Sequence, residues 1–185
     1  MTATSPEGPG GARRVVVTAT GVAPALGLSA DAHCDALDAG RGGVAALEIE
    51  DIDRLAIKIG AQAKAFDGAA RFSRSQIALY DRTTQMALTA AAEAMQASGL
   101  EIDEALALRC ATIMGTALLG MGTIDDNYRD VFQEGKNRVH PFIVPRLMNS
   151  APVSFISMEY GLKGPAFSVS TACSSANHAM GQAVH

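Results

Sequence analysis

The sequence predicts an α/β protein in which a mixed sheet is packed with helices. Three observations carry that expectation. Segments with strand periodicity alternate with segments of helical periodicity along the chain, the pattern of a sheet covered by helices. Glycines stand at the junctions between them. Hydrophobic residues make up 48% of the 185 residues but aromatics only 5%, with 18 glycines and no Trp. That composition suits close packing of small side chains, in a chain long enough for one domain with its own core.

Residues 1–12 are rich in Ser, Gly and Pro and read as a disordered tail; residues 13–185 form the domain. Arg13-Arg14 ahead of an apolar run has the look of a twin-arginine export signal. Thr18, Thr20, Gly21 and Pro24 interrupt the run, and no small-residue cleavage site follows. The segment Arg14–Thr20, with β-branched Val15, Val16 and Val17, therefore reads as a first buried strand. The glycine loop after it lacks G-x-G-x-x-G, which argues against a dinucleotide site. Ser29 caps a helix over Ala30–Ala39 that Gly40 stops, and Arg41-Gly42-Gly43 is a turn. Ile57-Lys58-Ile59 reads as a short strand.

Ser73-Arg-Ser-Gln76 has the form of a capping box. Ile77, Tyr80, Thr84, Ala87, Leu88, Ala91 and Met95 then recur at helical spacing up to Gly99, predicting one long amphipathic helix with Asp81 and Arg82 on its solvated side. Cys110–Met114 reads as a second buried strand with Cys110 as a small core residue. The glycine loop Gly115–Gly122 leads to a helix over Thr123–Phe132. A two-proline loop spans Lys136–Pro145, and Arg146–Tyr160 reads as helical, stopped by Gly161. Phe167, Val169 and Thr171 alternate with small residues, the pattern of a buried strand, and a helix follows from Ser174.

Between that strand and helix lies Cys173. A cysteine there sits near a helix N-terminus, where unpaired N–H groups and the positive end of the macrodipole favour the thiolate. Such a thiolate is a good acyl acceptor, since a thioester is easily made and broken. The plainer alternative is an inert core cysteine. Cys34, Cys110 and Cys173 are too few and too far apart for a disulfide framework or a zinc pattern. A reducing cytoplasm suits a reactive thiol. The net charge of −4 speaks against nucleic-acid binding, and no stretch is long enough to span a bilayer.

Thr171-Ala-Cys-Ser-Ser175 followed by His178 and Gly181 resembles the nucleophile motif of the β-ketoacyl-acyl-carrier-protein (ACP) synthases, the condensing enzymes of fatty-acid and polyketide synthesis. The resemblance continues in Val15-Val-Val-Thr-Ala-Thr-Gly21, in Ala39-Gly-Arg-Gly-Gly-Val44, in Pro141-Phe-Ile-Val-Pro145 and in Tyr160-Gly-Leu-Lys-Gly-Pro165. It looks like the elongating, type II branch, and His140–Gly181 also resembles the nodulation synthases. Ala19 and Ala176 stand where the family usually has glycine.

The resemblance implies the N-terminal αβ motif of a thiolase-like fold, without its second half. It implies that Cys173 accepts an acyl group from ACP and that its backbone N–H serves the oxyanion hole. Condensation with malonyl-ACP would follow, with no cofactor beyond the phosphopantetheine arm that carries the acyl groups. Leu118 would gate the acyl pocket and Ile143 would line it. Lys136 and Arg138, with Arg74 in place of basic residues the family has where Ala78 and Leu79 stand here, would dock the acidic ACP. A homodimer is expected, and neither a metal site nor a nucleic-acid or membrane partner.

The family's mechanism also needs two histidines and a lysine from its second half. His33, His140, His178 and His185 do not match them, so the 185-residue chain by itself is expected not to condense. It is also expected to leave an apolar face uncovered. Two other readings remain: a thiolase-like acyltransferase using coenzyme A thioesters, and a dimerising fragment without catalysis.

Overall fold

The computed structural model describes residues 14–184; the tail expected over 1–12 lies outside them, as does His185. In chain order the helices are α1 (Ala30–Asp38), α2 (Arg74–Leu79), α3 (Arg82–Ser98), α4 (Glu104–Ala107), α5 (Met121–Phe132), α6 (Ile143–Leu147), α7 (Ala151–Tyr160) and α8 (Ser175–Val184). The strands are β1 (Val44–Ala46), β2 (Ile59–Ala61), β3 (Thr112–Gly115) and β4 (Ala166–Val169). Among the described residues they pair as two ladders: β1–β2 is antiparallel and β3–β4 parallel.

The parallel pair is the centre of the molecule. Thr112, Ile113, Met114 and Gly115 stand opposite Ala166, Phe167, Ser168 and Val169. Helices α7 and α8 both pack on this pair, and α3 packs on α7. Val153 of α7 is fully buried, and Tyr80 stacks on Phe155 with ring centroids 4.5 Å apart. The Ser157 hydroxyl bonds that of Thr112 at 2.8 Å, tying α7 to β3.

The local signals form the elements they predict. Ser29 accepts from the Ala32 N–H and caps α1. The Ser73–Gln76 capping box is complete, with side chain and backbone bonded in both directions. Gly99 and Gly161 end α3 and α7 at φ values of 62° and 63°, where an L side chain is strained.

Six readings are corrected. Arg14–Thr20 forms no ladder, and Val15, Val16 and Val17 are 55%, 69% and 82% exposed, because no strand among the described residues lies beside them. The helix expected through Ile77–Met95 breaks at Tyr80 and Asp81, whose extended ψ values of 128° and 156° start a second helix. Asp81 is 4% exposed rather than solvated. One oxygen caps α3 through the Thr83 N–H (2.8 Å) and the other accepts the Thr123 hydroxyl of α5 (2.6 Å). Arg146–Tyr160 is likewise two helices, since Met148 leaves the helical path at ψ 131° before Pro152 enters the first turn of α7. The strand foreseen at Ile57–Ile59 begins at Ile59 and runs to Ala61, paired with the unforeseen β1. Phe167 is 38% exposed, so β4 is only partly buried.

The loop ahead of α1 crosses α3 closely. A Cβ at Gly21 would collide with the Ala90 carbonyl. Glu93 of α3 clamps the crossing, its carboxylate accepting the Val22 N–H at 2.8 Å and the Ala30 N–H at 2.6 Å. These two backbone donors hold its carboxyl below the usual 4.5.

Candidate active site

Cys173 is exposed and lies between the end of β4 and the first turn of α8. Three features set its bend. Gly115, at the end of β3, has no Cβ, and one built there would meet the Ser175 carbonyl and the Ala176 nitrogen. The start of α8 can therefore lie directly on β3. Ala172 sits at φ 52°, a left-handed conformation uncommon for a residue with a side chain. Hydroxyls then tie the bend together. Ser175, 3% exposed, accepts the Thr171 N–H at 2.9 Å and donates to the Ala172 carbonyl at 2.6 Å. Ser174 donates to the Thr171 carbonyl at 2.7 Å.

The result is a thiol held outward on a short, cross-linked turn. Among the described residues the Cys173 N–H donates to no protein acceptor, which leaves it available to a developing oxyanion. No side chain among them hydrogen-bonds the thiol. His178 lies a turn along α8 and lines a shallow groove with Asn177, Gly181 and Gln182 against Phe167 and Val169. His140 is a loop residue whose Nδ1 accepts the Phe142 N–H at 3.2 Å.

The loop carrying Leu118 is bound to the same corner. Thr116 donates its backbone N–H to the Val169 carbonyl and its hydroxyl to the Leu118 carbonyl. Ser170 reaches the Ala117 carbonyl at 3.3 Å. Leu118 itself is 70% exposed. Gly120 ends the loop at φ 69°, close against Leu147 and the Arg146 carbonyl of α6. Ile143 opens that helix and is half-buried. The structure thus brings the Leu118 loop, α6 and the Cys173 strand into one corner.

The three basic residues differ. Lys136 bonds Asp130 at 2.8 Å and Glu134 at 2.9 Å, and those two carboxylates, Asp130 first, raise its pKa. Arg138 and Arg74 are exposed and make no ion pair among the described residues. Arg74 opens α2, whereas Lys136 and Arg138 follow α5. Sequence reasoning missed the cross-linking role of Ser175 and the backbone twist at Ala172. The run Thr171-Ala-Cys-Ser-Ser175 held the signal, since serines three and four residues past a bend can reach back to its carbonyl and N–H groups.

A parallel strand pair between helices, ending in an exposed cysteine at a strand-to-helix bend, places the protein in the thiolase-like class. The family model for the β-ketoacyl synthase N-terminal domain matches residues 12–185. The chain belongs to the β-ketoacyl synthase family. It is 36% identical over 172 residues to nodulation protein E of Rhizobium sp. (strain N33), covering 93% of this chain and 42% of that protein. It is 34% identical over 171 residues to 3-oxoacyl-[acyl-carrier-protein] synthase 2 of Coxiella burnetii, covering 92% and 41%. Among solved structures, a β-ketoacyl synthase from Burkholderia phymatum STM815 superposes with a TM-score of 0.75 at 25% identity, over 92% of this chain and 42% of that one. The chain thus spans well under half the length of these relatives.

Proposed function

We propose that this protein supplies the acyl-accepting half of a β-ketoacyl-ACP synthase, with Cys173 as nucleophile. The observation that supports it most is the exposed Cys173 thiol on a bend cross-linked by Ser175, with its own N–H donating to no acceptor among the described residues. The Cys173 sulfur attacks the carbonyl of an acyl thioester on the phosphopantetheine of ACP. The Cys173 N–H stabilises the tetrahedral oxyanion, and the carrier thiol leaves with the proton the cysteine gave up. In the complete enzyme, malonyl-ACP loses CO2 and its carbanion attacks the Cys173 thioester. The C–S bond breaks, the cysteine sulfur is released, and a β-ketoacyl-ACP two carbons longer departs. The groups that promote decarboxylation are not among the four histidines here. The whole protein's activity rests on its relation to synthases such as 3-oxoacyl-[acyl-carrier-protein] synthase 2.

The same reading gives the partners: ACP, malonyl-ACP and a second copy of the chain, in the cytoplasm, with no resident cofactor. No helix of the described residues is long and apolar enough to cross a membrane. Leu118 restricts the acyl pocket from the corner it shares with α6, and Ile143 lines it. Docking of the acidic carrier falls to Arg138 and Arg74, because Lys136 is already engaged by Asp130 and Glu134.

The test is to incubate the protein with acyl-ACP, and separately with the matching acyl-coenzyme A, and read acylation of Cys173 by intact mass. Transfer from acyl-ACP that Cys173→Ala abolishes is expected. Transfer from coenzyme A alone would favour the thiolase-like reading, and none from either donor would sink the assignment. Arg138→Glu is expected to slow transfer from the carrier more than Lys136→Glu does.

A further inference from the structure

We propose that Ser175 is the positioning residue for Cys173: its buried hydroxyl holds Ala172 in the left-handed conformation that presents the thiol. This rests on the reading of Cys173 as nucleophile. Left-handed backbone is unfavourable for a residue bearing a Cβ, so an alanine there needs neighbouring bonds to hold it. Ser175 supplies two, on either side of Ala172. It accepts the N–H of Thr171 at 2.9 Å and donates to the carbonyl of Ala172 at 2.6 Å. Its own N–H also points to the Ala172 carbonyl, at 3.2 Å.

The serine is placed for this by the fold. It is the first residue of α8, 3% exposed, and its carbonyl lies against Gly115 at the end of β3. The twist at Ala172 is thereby referred to the central strand pair rather than left to an exposed turn. Ser174 makes a different link, from its hydroxyl to the Thr171 carbonyl at 2.7 Å. That bond closes the turn without touching Ala172.

Removing the hydroxyl lets Ala172 relax toward ordinary backbone, and the thiol loses its presentation while the fold remains. Glycine at position 172 adopts the left-handed form without a Cβ penalty and should therefore compensate. The experiment uses the full-length protein and follows two reactions at Cys173 by site-resolved mass spectrometry: alkylation by iodoacetamide and acylation by acyl-ACP. Exposed Cys34 serves as an internal control.

Ser175→Ala is expected to slow both reactions about tenfold, equivalent to about 1.4 kcal/mol in the barrier, with Cys34 unaffected. Adding Ala172→Gly is expected to bring both rates back to within about threefold of the parent. An unchanged Cys173 rate in Ser175→Ala would overturn the proposal. So would a loss that Ala172→Gly fails to restore, or a loss that follows a fall in melting temperature and is shared by Cys34. If the alkylation pattern holds but the parent is never acylated, the nucleophile assignment fails and the positioning role stands.

Discussion

Asp81 is the sharpest test of how the helical half is assembled, since its buried carboxylate joins α3 to α5. Replacing it with alanine removes the cap on α3 and the acceptor for the Thr123 hydroxyl of α5. Loss of an N-cap costs about 1 kcal/mol. The hydroxyl bond to a charged acceptor contributes about 1.5–3 kcal/mol, and Thr123, only 3% exposed, would be left without that acceptor. Asp81→Ala should therefore lower stability by about 3 kcal/mol, a melting-temperature drop of about 10 °C for a chain of this size. Asp81→Asn keeps a cap of similar quality and should cost about 1 kcal/mol. Denaturant titration of both variants, and of Asp81→Ala combined with Thr123→Val, measures the effect. The double variant should lose less than the sum of the two singles, because both changes remove the same bond. A loss below 1 kcal/mol for Asp81→Ala, or strict additivity in the double variant, would refute the junction as the tie between α3 and α5.

Two other perturbations follow from close contacts. Glu93→Gln should weaken the clamp on the loop ahead of α1. Because the folded pKa of Glu93 lies below 4.5, its contribution is fully present above that value and disappears as pH falls through the folded pKa. The stability gap between parent and variant should be widest near neutral pH and narrow below pH 4.5, as read by denaturant melts; a gap that widens with acid would contradict the clamp. Gly115→Ala puts a Cβ into the Ser175 carbonyl and should push the start of α8 off β3. A cost of about 1–3 kcal/mol or more is expected, together with a slowed reaction at Cys173. Unchanged alkylation would show that the contact does not set the bend.

The parts of the fold legible in the sequence are those specified within a few residues. The Ser29 cap, the Ser73–Gln76 capping box and the glycines at 99 and 161 each fix a helix end by their own bonds or backbone freedom. What escaped needed a partner distant in sequence. The apolar spacing of Ile77–Met95 runs through Tyr80 without a gap. The break follows from Asp81 finding Thr123, 42 residues on, besides capping the next helix. An Asp followed by a Thr two residues later was a cap signal, overshadowed by the periodicity. Val15–Val17 carry strand propensity, yet a strand needs a neighbour, and none is present among the described residues. At the candidate site, the bend at Cys173 was legible because small residues, Ala172, Ser174 and Ser175, surround it. Ser175 was not, because its role depends on the φ of Ala172.

The least ordinary feature is the orientation of α5. Met121, Ile124, Tyr128 and Phe132 recur at helical spacing and form a stripe, yet they are 54%, 41%, 59% and 69% exposed. The inward face carries Thr123, which is buried on Asp81, and Asn127, whose side chain bonds the Thr123 carbonyl at 2.7 Å. An amphipathic helix usually hides its apolar stripe, whereas this one buries the Asp81–Thr123 bond and presents the stripe. Tyr128 and Phe132 stack with centroids 4.5 Å apart, making the stripe continuous. An exposed patch of that kind drives association unless something covers it, and the matched part is only about 42% of the relatives' length. The 185-residue chain made alone should therefore self-associate and bind a hydrophobic dye. Ile124→Glu with Phe132→Glu should shift light scattering toward the monomer mass and lower the dye signal. A parent chain that runs as a dye-silent monomer would refute the stripe as an association surface.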